Sequence, residues 1–260
     1  MRLARSSPPG YDFAMPASPR TKREYLRELI AEKNRWNRPL SDEEKSLGFL
    51  GWHERGYLPH CDFPNLIQLV TFRLEDSMPA SRRGEWEHLL TIEDVRKRRA
   101  RLEEYLDRGI GKCRLRDLRV AKLCEDTLLQ FHNDRYELMA WCVMPNHVHV
   151  LVDVRMTPLG KMLQSWKRFI ATQAKAILGE CRSPTRLADK SFQNAPARRA
   201  ALQLQWQREY WDTFMRDEEQ ERKAVHYIEN NPVKAKLCRE AKEWLFSSAK
   251  FRDEYGRLVI

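Results

Sequence analysis

No run of eighteen or more apolar residues occurs in the 260 residues, and the opening MRLARSSPPG lacks the apolar core of a secretion signal. Neither membrane spanning nor export is supported, and a cytoplasmic location is expected. Cysteine is sparse: six residues, at 61, 113, 124, 142, 181 and 238, with no C-x-x-C pair. That spacing argues against a zinc knuckle or ribbon and favours reduced, mostly buried thiols. Acidic residues are in deficit, 37 Asp and Glu against 47 Lys and Arg, which leaves a formal charge of +10. An excess of that size favours a polyanionic partner, most often nucleic acid. No internal repeat is detectable. The length suits one compact domain with extensions.

What is present is concentrated in Trp141 to Asp153, WCVMPNHVHVLVD. Side chains alternate along a strand, so His147 and His149 share one face while Val148, Val150 and Val152 point into a core. The two histidine Cα atoms would lie about 6.6 Å apart, close enough for the imidazoles to converge on one metal ion or one phosphate. Pro145 and Asn146 read as the turn between strands 136–144 and 147–154, which puts the histidines beside a hairpin tip. The ordinary alternative is a pair of half-buried histidines with separate partners.

Around this hairpin the chain divides as follows. Residues 1–20 have the proline- and serine-rich composition of a disordered tail. Residues 21–47 form an accessory extension, with Tyr25, Leu26, Leu29 and Ile30 at helical spacing. The main domain covers 48–250, and 251–260 is a C-terminal tail. Within the domain, GFLGWHERGYLPHCDFP (48–64) shows no clean period and is expected to be an ordered loop leading to a first strand, Leu66 to Leu74. A mostly helical region spans 82–107, and a further helix Leu115 to His132.

Residues 96–122 hold eleven Lys and Arg, among them Arg98, Arg99 and Arg101, which make either a DNA-facing or a merely solvated surface. Leu159 to Leu178 predicts a long helix turning Leu163, Trp166, Phe169, Ile170 and Ala174 to the sheet, with Lys161, Lys167 and Arg168 at its sides. A basic loop covers 179–200. Trp206 to Phe214, which includes Tyr210, is strand-like. Asp217 then caps a helix to about Asn230, which Pro232 is expected to stop. This order gives βαββαβ plus a helix, an α+β fold with a ferredoxin-like antiparallel sheet and packed helices.

The last helix carries Tyr227 and Asn231 at i and i+4, a phenol and an amide on one face, where a nucleophile and a ligand could act together. A core tyrosine and a capping asparagine are the plain alternatives. With these residues the chain resembles the REP-associated tyrosine transposases, relatives of the single-tyrosine HUH transposases. The resemblance rests on GYLPHCD, LIQLVTFRL, WCVMPNHVHVLVD, SWKRF, WQREYWDTFMRDEE, YIENNPVKAKL and WLFSSA, in that order over about residues 48–250.

The resemblance implies a core that cleaves single-stranded DNA at hairpin-forming palindromic repeats. His147 and His149 would hold Mg or Mn, Tyr227 would be the nucleophile, and Asn231 would supply a third ligand. A tyrosine oxygen attacking phosphorus becomes a 5′-phosphotyrosine and releases a 3′-OH, so bond energy is kept without ATP. A phenol ionises near pH 10 in water, so metal and nearby cations must assist. DNA contacts are expected from Tyr57 and His60 in the 48–62 segment, from Arg98, Arg99 and Arg101, and from Lys167, Arg168 and Tyr210. No small-molecule cofactor and no membrane partner are expected, and the chain would be a monomer or homodimer. Three rivals stand beside this reading. A histidine-triad enzyme would need a third histidine where Leu151 stands. A catalytically silent hairpin-binding protein or repressor would keep the fold and the charge alone. A structural protein would use the histidines only as core.

Overall fold

The computed structural model describes residues 38–54, 59–92, 95–180 and 204–260. The chain divides at residue 39/40, and the fold below is that of the unit Leu40–Ile260. The expected tail 1–20, the helix within 21–36, Tyr57 and nearly all of the loop 179–203 lie outside the described residues.

Helix α1, Asp42–Leu47, opens with a reciprocal capping box between Ser41 and Glu44 and ends at Gly48, whose φ of 93° places it in the left-handed region that favours glycine. Two short strands follow, β1 (Gly51–Glu54) and β2 (Pro59–Asp62), paired antiparallel with Trp52 opposite Cys61 and His53 opposite His60. The expected irregular loop is therefore a hairpin. Its strands of four residues are too short for a period of two to show through their mixture of aromatic and polar side chains.

Strand β3 (Ile67–Arg73) leads through α2 (Arg83–Leu90), α3 (Val95–Asp107) and α4 (Leu118–Leu129) to the hairpin β4 (Glu137–Val143) and β5 (His147–Asp153). Helix α5 (Leu159–Glu180), the short strand β6 (Trp211–Phe214) and α6 (Glu218–Lys234) complete the order. Asp117 caps α4 by accepting from the Arg119 amide, and Asp217 caps α6 by accepting from the Gln220 amide.

The strands β3, β4, β5 and β6 form one sheet in the order β4-β5-β3-β6, every pair antiparallel. With the helices between them this is the βαββαβ, ferredoxin-like α+β arrangement expected from the sequence. One face carries Val70, Phe72, Val148, Val150 and Val152, all buried. Helices α4 and α5 cover it: Trp166 of α5 packs against Phe72, and Glu125 of α4 accepts from the Trp141 indole N–H at 3.0 Å. The other face carries Leu69, Ala140, Cys142 and Leu151, packed against Ala224 and Ile228 of α6. Because both faces are covered, β5 is buried from His147 to Val152, and its apolar run is nearly continuous instead of alternating. Each such aliphatic side chain contributes about 1.5–3 kcal/mol by burial.

Two expectations are corrected. Phe169 does not face the sheet; it lies on the flank of the Leu163–Trp166–Ile170–Ala174 stripe and is 50% exposed. Pro232 does not stop α6, which runs on to Lys234 with the proline inside it. The proline ring and Ile228 are both buried, and packing against the sheet offsets the missing helical hydrogen bond. No helix among the described residues is long and apolar enough to cross a membrane.

Candidate active site on the α6 face of the sheet

Strand β5 turns His147 and His149 toward α6, each only 1% exposed. Their Nε2 atoms lie 3.0 Å apart, with the rings nearly perpendicular at 84°. The outer nitrogens are anchored separately. Nδ1 of His149 meets the Thr71 hydroxyl at 2.8 Å, across the β3–β5 register that sets Thr71 opposite His149. Nδ1 of His147 meets Oδ1 of Asn146 at 2.7 Å.

That second contact has a fixed direction. The Asn146 amide nitrogen donates to the carbonyls of Leu106 and Ile110, at 3.3 and 3.1 Å, so its oxygen is identified and can only accept. The His147 proton therefore sits on Nδ1, and Nε2 presents a lone pair to the site. Burial, followed by the charges of Arg73 and Lys234, pushes the His147 pKa down to about 3, which keeps the ring neutral at physiological pH.

Helix α6 supplies the facing group. The i, i+4 spacing stacks Tyr227 and Asn231 on one side, and the Asn231 amide nitrogen lies 3.1 Å from Nε2 of His149 and 3.3 Å from the Tyr227 hydroxyl. The Tyr227 ring meets the His149 ring edge-on at 5.3 Å, and it is the half-buried member of the set while Asn231 is fully enclosed. Oδ1 of Asn231 is buried without a hydrogen-bond partner. Turning the amide over would set that oxygen beside Nε2 of His149.

These donors fit a small divalent cation. Ligands at about 2.1 Å in cis positions lie about 3.0 Å from one another, the separation that His147 and His149 show. The set is neutral, and among the described residues no group of three His, Cys, Asp or Glu forms a rival centre. A cation held by neutral ligands keeps its full charge for a bound anion.

Other groups border the site. Arg73 is opposite His147 in the β3–β5 register, is buried, and packs over the Trp211 ring at 4.9 Å. Lys234, at the end of α6, pairs with Asp107 of α3 at 3.5 Å. Thr71, Arg73 and the aim of the Asn146 side chain escaped sequence reasoning; the alternation of LIQLVTFRL puts Thr71 and Arg73 on one face, but only strand register shows which histidine each meets.

Of the expected DNA-contacting residues, Arg101 is exposed on α3 and bonded to Glu104 at 2.8 Å, and Arg168 is exposed on α5. The side chains of Arg98 and Arg99 lie outside the described ones. Lys167 donates to the carbonyls of Gln207 and Arg208. His60 and Tyr210 are interior, 1% and 3% exposed, with ring centroids 4.6 Å apart. His60 lies between Asp212, at 2.5 Å, and Glu209, at 3.6 Å. The expected quartet His147, His149, Tyr227 and Asn231 is thus brought together, while His60 and Tyr210 form a separate cluster linking β2 to β6.

No family model matches the chain. A Haemophilus influenzae protein named "Putative REP-associated tyrosine transposase" is 26% identical over 114 residues, 44% of this chain and 58% of the length of that protein. A solved structure of a REP-associated tyrosine transposase bound to a REP hairpin is 14% identical, covering 81% of this chain and 99% of the other, with a TM-score of 0.43. The chain is therefore similar to the REP-associated tyrosine transposases, the family that its motifs resemble.

Proposed function

We propose that the protein is a single-stranded DNA endonuclease and strand transferase that acts at hairpin-forming palindromic repeats through a 5′-phosphotyrosine intermediate. The observation that carries this reading is the chain of contacts from the Tyr227 hydroxyl through the Asn231 amide to Nε2 of His149 and on to Nε2 of His147. A nucleophile and a cation-ready donor set stand within one shell.

In this reading His147, His149 and Asn231 hold Mg or Mn, which supplies charge to the scissile phosphate. Asn146 and Thr71 orient the two imidazoles. That oxygen bonds to phosphorus, the bond from phosphorus to the 3′ oxygen breaks, and the 3′ oxygen leaves with a proton while the phenol proton passes to solvent. The ester formed on Tyr227 conserves the bond for rejoining to another 3′-OH. The net charge of +10 suits a partner of this kind.

The test is incubation of the full chain with Mn and a labelled palindromic repeat bearing a single-stranded flank, followed by denaturing electrophoresis. The wild type should give a denaturant-resistant adduct mapped by mass spectrometry to the peptide containing Tyr227, and Tyr227→Phe should bind the DNA without forming it. An adduct on Tyr210, or one persisting in Tyr227→Phe, would overturn the mechanism. Binding with no adduct in the wild type would leave the silent hairpin-binding protein as the function.

A further inference from the structure

We infer that Lys234 is a further catalytic residue, one that serves the departing 3′ oxygen from across the scissile phosphate; the inference rests on the phosphotyrosine reading above and adds a leaving-group donor to it.

Tyr227, Asn231 and Lys234 stand at i, i+4 and i+7 of α6 and so share one face of the helix. Seven residues of helix advance about 10.5 Å. The two ends of this stripe meet different histidines. The Tyr227 ring lies edge-on to His149 at 5.3 Å, whereas the charge of Lys234, together with that of Arg73, is felt at His147. In phosphoryl transfer the attacking and leaving oxygens stand roughly in line on opposite sides of phosphorus. A phosphate lodged at the two Nε2 atoms and attacked from the His149 end therefore expels its 3′ oxygen toward the His147 end. An approach of about 3.5 Å on one side and a hydrogen bond of about 2.9 Å on the other fit within the span of the stripe.

Of the two cations beside His147, Arg73 is 2% exposed and packs over the Trp211 ring, while the Lys234 side chain is 52% exposed and open to an arriving strand. Lys234 is held near the site by the same end of α3 that orients His147. Asp107 pairs with Nζ at 3.5 Å, and the carbonyl of the preceding Leu106 accepts from the Asn146 amide. An ion pair with a half-exposed partner contributes little to stability, so Lys234 can leave Asp107 for the substrate. The plain alternative is a pair that only ties α6 to α3.

As the bond from phosphorus to the 3′ oxygen breaks, its electron pair goes to that oxygen, which takes a proton from Nζ and departs as the 3′-OH. The amine regains a proton from water, and the phenol proton passes to solvent.

The test measures single-turnover adduct formation, at saturating protein and Mn, on two versions of one palindromic hairpin with a single-stranded flank. One has the natural phosphodiester; in the other sulfur replaces the scissile 3′ oxygen. A thiol ionises near pH 8.5, so a thiolate departs without a proton donor. Lys234→Met should slow the oxygen substrate about 100-fold or more and leave the sulfur substrate within about threefold of wild type. Adding Asp107→Asn, which removes the carboxylate left behind, should not restore the oxygen substrate. An oxygen substrate cleaved at the wild-type rate by Lys234→Met, equal slowing of both substrates, or restoration by Asp107→Asn would overturn the inference and leave the phosphotyrosine reading in place. No adduct with either substrate in wild type would overturn both.

Discussion

Asn146 and His147 are adjacent in sequence, yet the direction of the 2.7 Å hydrogen bond between their side chains is set from outside the pair, by the carbonyls of Leu106 and Ile110 at the end of α3. Removing the amide frees the His147 ring to take either tautomer and takes a donor from the carbonyls of Ile110 and Leu106, the second of which keeps the Gly109 amide at 3.0 Å. Asn146→Ala is expected to lose about 1–3 kcal/mol of stability and about 10–100-fold in Mn affinity. Denaturant unfolding and titration calorimetry check the two effects separately, and unchanged metal affinity would remove Asn146 from the site.

Thr71 offers a gentler version of the same experiment. Thr71→Val keeps the side-chain shape and deletes the hydroxyl that meets Nδ1 of His149 at 2.8 Å. Stability should drop by about 1 kcal/mol and Mn affinity by about tenfold or more, with adduct yield recovering at saturating Mn. Failure to recover would mean that the hydroxyl serves the chemistry by some route other than ligand orientation.

The buried His60 gives a pH signature. Burial works against its charged form, but the hydrogen bond and charge of Asp212, followed by those of Glu209, outweigh it and hold the pKa above the ordinary 6.5. A group whose pKa is raised on folding stabilises the fold fully below its unfolded value, and that contribution is lost as pH climbs through the folded value. The denaturation midpoint should therefore fall as pH rises above about 6.5, and His60→Gln should flatten this part of the profile. The same slope in both proteins would show that the cluster is not the source.

Charge reversal at Arg98, Arg99 and Arg101 on α3 tests the basic face. Hairpin affinity should fall, and the salt slope should lessen by about 0.9 for each phosphate no longer neutralised. Circular dichroism should show the helix retained. An unaltered slope would mark this face as solvated only.

Ile228 lies in the turn between Tyr227 and Asn231 and is fully buried against the sheet. Ile228→Ala should cost about 2–5 kcal/mol and reduce adduct formation more than DNA binding, since the helix that carries Tyr227 loses its anchor. Equal losses in both would point to global unfolding instead.

The site was legible wherever its signal was local. His147 and His149 follow from alternation on one strand, Tyr227 and Asn231 from one helical turn, and Asp217 from its place before an acidic first turn. The arrangement of β3, β4, β5 and β6 followed from element order, because antiparallel pairing of short-range hairpins and crossovers leaves few alternatives. What stayed hidden depends on contacts distant in sequence. Thr71 and Arg73 acquire their places only from the β3–β5 register. His60 reads as a loop residue until Asp212, 152 positions away, is seen against it. Asn146 reads correctly as a turn residue, but nothing local shows that its side chain turns inward to α3. Pro232 misled because the rule that proline ends helices weighs a local loss and omits the tertiary packing that offsets it.

That proline also divides α6 mechanically. With no N–H at position 232, the Ile228 carbonyl lacks its helical donor, so one rung of the ladder is missing just past the Tyr227–Asn231 turn. Beyond the gap lies Lys234, tethered to Asp107 of α3. A helix bends most easily where a rung is absent. Movement of α3 would then be taken up at this hinge, flexing the final turn like a compliant joint while the spacing between Tyr227 and Asn231 stays rigid.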